Sequence, residues 1–250
     1  MTSTPIDHPL ANVMWTALTT SQADWSRGNA LARRFRPEFA RFAGMPAVTA
    51  ANLRALAADM ACDEIVALSD ADDFDPGPLF DVSDRKNLVQ MIGPATGEAR
   101  APQRFRPLGP ADVPRMTALV QLTEPGPWYE RTPELGRFVG FEAEGQLVAM
   151  VGERMRVPGH TEISAVCCHP DWRGRGLPSA AQRGRLRGVT DRGRDLVERE
   201  TDRTAGGGDD PEAQHDLRLR PPFHLEVVVN RGHLEHAPVK TLEGEHLDQD

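Results

Sequence analysis

The segment ISAVCCHPDWRGRGL, residues 163–177, constrains the fold more than any other stretch of the chain. It opens as an apolar strand and runs through a Pro- and Gly-punctuated turn into the start of a helix. A Gly-rich turn at that junction points several backbone N–H groups into one concavity, and the helix dipole adds partial positive charge there. Such a turn either is purely structural or cradles a pyrophosphate. Neither the dinucleotide pattern GxGxxG nor the P-loop ending GK[ST] is present.

The regions on either side follow from patterning. Residues 1–93 read as an N-terminal accessory region and 94–102 as a linker. Residues 103–250 read as the domain that carries the turn. Helix-compatible spacing runs over 12–25 and 28–39, and Thr49 opens a helix over 49–60. Strands are expected at 64–69, 87–93 and 105–108. Asp112 precedes a helix in which Pro114 sits in the first turn. Residues 125–136 form a loop with one helical turn. Three strands then fill 137–168, turning at Glu144–Gly145 and Pro158–Gly159.

Composition narrows the class. The chain has 250 residues and a net charge of -8, which argues against nucleic acid as a partner. Basic charge comes from 27 arginines against two lysines, as in a GC-rich coding bias. The longest apolar runs are far short of the roughly 20 residues that span a bilayer, so no membrane role is expected. Cys62, Cys167 and Cys168 make neither a disulfide framework nor a CxxC pair, and a cytoplasmic setting fits them. No metal is expected. Asp70, Asp72, Asp73 and Asp75 lack the glycine and closing glutamate of an EF-hand loop, and HLEH at 233–236 has no assignable third ligand.

The wording of 163–177 closely resembles the acyl-CoA-binding segment of the GNAT superfamily of N-acetyltransferases, a strand followed by HP-x-aromatic-[RQ]-x-x-G-x-[GA] and a helix. Arg173, Gly174, Arg175 and Gly176 match, and the hairpin before them resembles the family's central strands. The resemblance covers about 104–177. It implies an α/β (α+β) fold: a mixed, mostly antiparallel sheet flanked by helices, with two central parallel strands that splay apart around acetyl-CoA. It also implies that Val166, Cys167 and Cys168 supply strand backbone to the pantetheine arm. Gly174, Arg175, Gly176, Leu177, Pro178 and Ser179 form the pyrophosphate turn, and Arg173 takes the Arg/Gln position.

The implied activity is acetyl transfer to an amine of a small molecule or protein by direct attack, with Cys167 and Cys168 as packing residues. Glu162 resembles the glutamate that many members use as general base; on its own it also reads as a salt-bridged strand residue. Glu153 is the second candidate. His160 and His169 read as turn residues, and Trp128 and Tyr129 as either acceptor-pocket or packing residues.

Three departures set the chain apart. Pro178 stands at the closing Gly/Ala position and has no N–H to donate. The long amphipathic helix expected after the turn is replaced by Arg- and Gly-rich sequence, with nine arginines between Arg173 and Arg203. The usual thiolate-protonating tyrosine has no counterpart, because Tyr129 is the sole tyrosine. A shifted reading frame and an evolved accessory tail both account for such a passage. Residues beyond about 180 are expected not to complete the fold as a packed unit, unless HLEVVV (224–229) supplies a replacement strand. The alternative function is an impaired or non-catalytic relative that binds CoA weakly or not at all.

Overall fold

The computed structural model describes residues 8–70, 73–93, 105–177, 195–202 and 223–235. The linker 94–102, Asp72, His236 and the turn residues Pro178 and Ser179 lie outside these.

One eleven-stranded sheet organises the chain, in the order β1-β2-β3-β4-β11-β5-β10-β9-β8-β7-β6. The N-terminal region supplies β1 (Ser26–Gly28), β2 (Arg33–Phe35), β3 (Phe42–Gly44), β4 (Ile65–Asp70) and β5 (Phe80–Gly93). The second region supplies β6 (Phe105–Leu108), β7 (Phe138–Ala143), β8 (Gln146–Val157), β9 (His160–Cys168), β10 (Asp195–Asp202) and β11 (Phe223–Glu235). Most pairings are antiparallel; β3–β4, β4–β11, β11–β5 and β10–β9 are parallel.

The helices are α1 (Val13–Thr19), α2 (Ala50–Ala57) and α3 (Val113–Thr123). Thr49 caps α2 as expected, its hydroxyl accepting from the Asn52 amide at 3.2 Å. At the start of α3, Asp112 accepts from the Gly109 amide at 2.9 Å and from Arg106 at 2.7 and 2.9 Å. Met116, Leu119 and Val120 of α3 pack on Phe138, Leu147, Met150 and Cys167 of the sheet. On the same sheet, α1 packs with Phe35, Phe39, Met155 and Val157.

The helix expected over 28–39 is replaced by β1 and β2. Asn29 draws the local amides into a turn, accepting from Leu31 at 2.8 Å and Ala32 at 3.3 Å. Pro37 biases Arg36 away from helical backbone. Arg34 is held as a strand residue by Glu64, with its fork 2.6 and 2.8 Å from the two oxygens. The predicted strands at 64–69, 87–93, 105–108 and 137–168 form, although β5 starts earlier, at Phe80.

Two segments of the atypical tail join the sheet. HLEVVV lies within β11, between β4 and β5. DLVERETD, not expected as a strand, forms β10 between β5 and β9. The accessory region and the transferase-like region therefore share a single hydrogen-bonded sheet.

Candidate active site

Strands β9 and β10 run parallel only from His160–Asp195 to Ile163–Glu198. Beyond that point β10 continues along β5 to Asp202, while β9 stays with β8 to Cys168. The β10-facing edge of β9 from Ser164 onward has no strand partner among the described residues. Parallel strands that part in this way leave backbone donors and acceptors facing a cleft.

A bulge falls at the parting. Gly152 pairs with Ser164 and Met150 with Cys167, so Ala165 and Val166 together oppose Val151. Ala165 has φ 50°, in the left-handed region that costs a residue with a Cβ about 1–2 kcal/mol. Nothing in the sequence signals this strain, since the usual glycine is absent. Around the bulge, Val166 packs toward Val151 and Ile163, while Cys167 packs under α3. Cys168 joins Phe141, Phe105 and Trp172.

Neither adjoining thiol suits nucleophilic chemistry. Burial pushes Cys167 up to about 11 and also raises Cys168, against a smaller lowering by Arg173.

The turn that follows β9 is built from local bonds. The His169 amide donates to Val148 O at 2.8 Å, and its ring caps the Asp171 amide at 3.3 Å. Trp172 stacks edge-on to Phe141, with centroids 6.3 Å apart, and Leu177 packs in the same cluster. The Arg175 guanidinium lies 4.3 Å above the Trp172 ring. Gly174 and Gly176 have φ 75° and 67°. A Cβ at either would meet no atom of the described residues within 4 Å. These glycines are therefore required by backbone conformation and not by close packing among the described residues.

Beside β9 lies a hollow lined by Trp128, Phe138, Glu153, Arg154, Ser164 and Ala165, among others. Glu153 is 5% exposed; it accepts from the Arg137 amide at 3.0 Å and faces Arg137 Nη2 at 3.3 Å. Glu162 is 2% exposed and is not among the lining residues. Its two oxygens accept from Arg154 at 2.8 and 3.0 Å, and one also from the Met155 amide at 3.3 Å. Glu162 thus touches the hollow through Arg154.

His160 sits at the β8–β9 turn against His8. Trp128 donates to Thr117 at 3.1 Å and meets Phe138 edge-on. Tyr129 stands in the α3–β7 loop and lines a hollow with Trp128.

The structure brings together Val166, Cys167, Cys168, Arg173, Gly174, Arg175, Gly176 and Leu177 along one strand and turn. Asp73 pairs with Arg85, and Asp75 caps the Gly77 amide at 2.9 Å. Among the described residues no group of three metal-ligating side chains occurs, and no helix is long and apolar enough to cross a membrane.

Residues 105–182 match the Acetyltransferase (GNAT) family. A solved GNAT-family protein from Novosphingobium aromaticivorans DSM 12444 is 34% identical, with a TM-score of 0.67 over 80% of this chain and 89% of that one. The ribosomal-protein-S18-alanine N-acetyltransferase from Escherichia coli matches at 20% identity over 36% of this chain and 60% of that one, with a TM-score of 0.32. A GCN5-related N-acetyltransferase from Kribbella flavida matches at 16% identity over 56% and 55%, with a TM-score of 0.36. No curated protein matches the chain. The parted strands, the glycine turn and a relative similar over most of both chains agree, and the chain belongs to the GNAT family of acetyltransferases.

Proposed function

We propose that the protein transfers the acetyl group of acetyl-CoA to a primary amine by direct attack. The observation that carries this reading is the parting of β9 from β10 beside a turn whose two left-handed glycines meet no close packing among the described residues. The free edge of β9 would pair with the pantetheine amides, and the Arg173–Gly176 turn would hold the phosphates; Pro178 and Ser179 extend that turn in sequence. Acetyl-CoA supplies an activated thioester carbonyl. The amine nitrogen forms a bond to the carbonyl carbon, the C–S bond breaks, and CoA leaves as the thiolate. An amide at the Ala165–Val166 bulge stabilises the carbonyl oxygen.

The amine proton passes to Glu153, the carboxylate that lines the hollow. Glu162 acts as a positioning residue, holding Arg154 at the same wall. Glu153→Gln should lower turnover by about 10²–10⁴. Glu162→Gln should raise the amine KM with a much smaller loss of turnover. The reverse pattern would return the base role to Glu162. Free, unpaired Cys62, Cys167 and Cys168 support a reducing, cytoplasmic setting.

A second reading is favoured by the absent tyrosine and by Pro178, which offers no N–H: an impaired relative that binds CoA without transferring from it. One experiment separates the two. The full-length protein is incubated with acetyl-CoA and a panel of amines and peptides, and free thiol and acetylated product are measured alongside CoA calorimetry. Amine-dependent thiol release that is lost in Gly174→Asp is expected. CoA binding without thiol release for any amine would establish the second reading.

A further inference from the structure

A second hollow, of about 620 Å³, opens at the C-terminal end of α3. It shares Gly126 and Trp128 with the hollow that reaches Glu153 and the β9 bulge, so the two are neighbours across one aromatic wall. Its lining includes Glu124, Glu130, Trp128, Tyr129 and Thr117, and among the described residues no lysine, arginine or histidine.

Three independent features give this hollow one electrostatic character. Glu124 ends α3 in a left-handed conformation, φ 46°, beside the helix's last carbonyls, and α3 has no basic residue in its last turn. The negative end of the helix dipole is therefore reinforced there. Glu130 adds a second carboxylate to the rim; its neighbour Arg131 acts on it electrostatically but is bonded to Glu134 at 2.7 Å and lies 4.3 Å over the Phe39 ring. Trp128 is fixed by its bond to Thr117 and by Phe138, so its ring is a rigid wall that needs no reordering to receive a ligand. Carboxylates together with preset aromatic faces make a receptor for an organic ammonium group.

We infer that this hollow holds a second ammonium group of the acceptor, so that the acceptor is a small diamine or polyamine. The inference rests on the acetyl-transfer reading of the adjoining cleft. One amine of the substrate reaches toward Glu153 and the bulge, while the other stays protonated between Glu124, Glu130 and the Trp128–Tyr129 wall.

The test compares 1,4-diaminobutane with n-butylamine, which have the same chain length and differ by one charge. The full-length protein should acetylate the diamine with a kcat/KM about tenfold higher or more, and this preference should shrink as salt rises. Glu124→Gln and Glu130→Gln should each lower the diamine-to-monoamine ratio by roughly 3- to 5-fold, as expected for partly screened pairs. Glu144→Gln, on the distant β7–β8 turn, serves as the charge-matched control and should leave the ratio as it is. Calorimetry with 1,4-diaminobutane measures binding without turnover. If diamine binds and depends on Glu124 and Glu130 while no amine is acetylated, the pocket stands and the transfer reading fails. If amines are acetylated with no preference for the diamine, or with a ratio that neither Glu124→Gln nor Glu130→Gln changes, the pocket inference is overturned.

Discussion

Gly174 and Gly176 occupy left-handed backbone without close packing among the described residues, so two costs separate on substitution. Alanine at Gly174 adds backbone strain of about 1–2 kcal/mol. Aspartate at either position adds like charge against phosphate. Gly174→Asp and Gly176→Asp should weaken CoA binding by at least about tenfold, roughly 1.4 kcal/mol, and more than Gly174→Ala does. The excess over alanine should narrow at high salt. Unchanged CoA affinity in both aspartate variants would remove this turn from the cleft.

A second single-residue effect concerns acid stability. Arg106, with help from the Gly109 amide and Arg115, holds the Asp112 carboxyl well below the usual range. A depressed carboxylate stabilises the fold above its unfolded value near 3.9, and that contribution is lost as pH falls through the folded value. Asp112→Asn should therefore lower Tm at neutral pH and converge with the parent in strong acid. The cost is about 1–2 kcal/mol, at the low end for a charged hydrogen bond because the Arg106 side chain is 40% exposed. A deficit that grows toward low pH would contradict the assignment. At this scale the glycines of the turn were legible because only glycine enters that conformation cheaply. Ala165 was not, because its strain is imposed by the bulge and the strands around it.

Among the elements, β8 depends on a side chain from the other end of the sequence. Its register against β9 shifts between Glu153 and Arg156. Gln22, fully buried, bridges that irregularity: its Nε2 donates to Arg154 O at 2.7 Å, and its Oε1 accepts from the Arg156 amide at 3.0 Å. Gln22→Leu should leave both backbone groups unpaired, at about 1–3 kcal/mol each. Chemical denaturation should show this as a shifted midpoint with unchanged slope. A loss below about 0.5 kcal/mol would mean that water replaces the amide. Strands 137–168 were readable because their turns carry glycine at left-handed positions and their apolar content is dense. The segment 28–39 read as helix because its apolar spacing fits one, whereas Arg34–Glu64 pairing and Pro37 decide the outcome from outside the pattern. DLVERETD could not be read as β10, since five of its eight residues are charged and its pairing is set by β5 and β9.

For the whole molecule, the boundary near 94–102 divides the sequence but not the sheet. β5 lies between β11 and β10, and β10 forms one side of the cleft. Removing residues 1–93 takes away the strand that bridges them, together with the α1 packing on Met155 and Val157. The remaining fragment should be insoluble or lack cooperative unfolding, and it should not bind CoA. A soluble fragment that binds CoA normally would show that the accessory region is dispensable. The same topology has a kinetic consequence. β11, the last described strand in the sequence, slots between β4 and β5, which are made far earlier and lie parallel to it. Until it arrives, those two strands present open edges to other chains. Such distant pairings place folding on the slow, millisecond-to-second side. A nascent chain halted before residue 223 is therefore the species most exposed to edge-to-edge aggregation, and chaperone demand should peak late in synthesis.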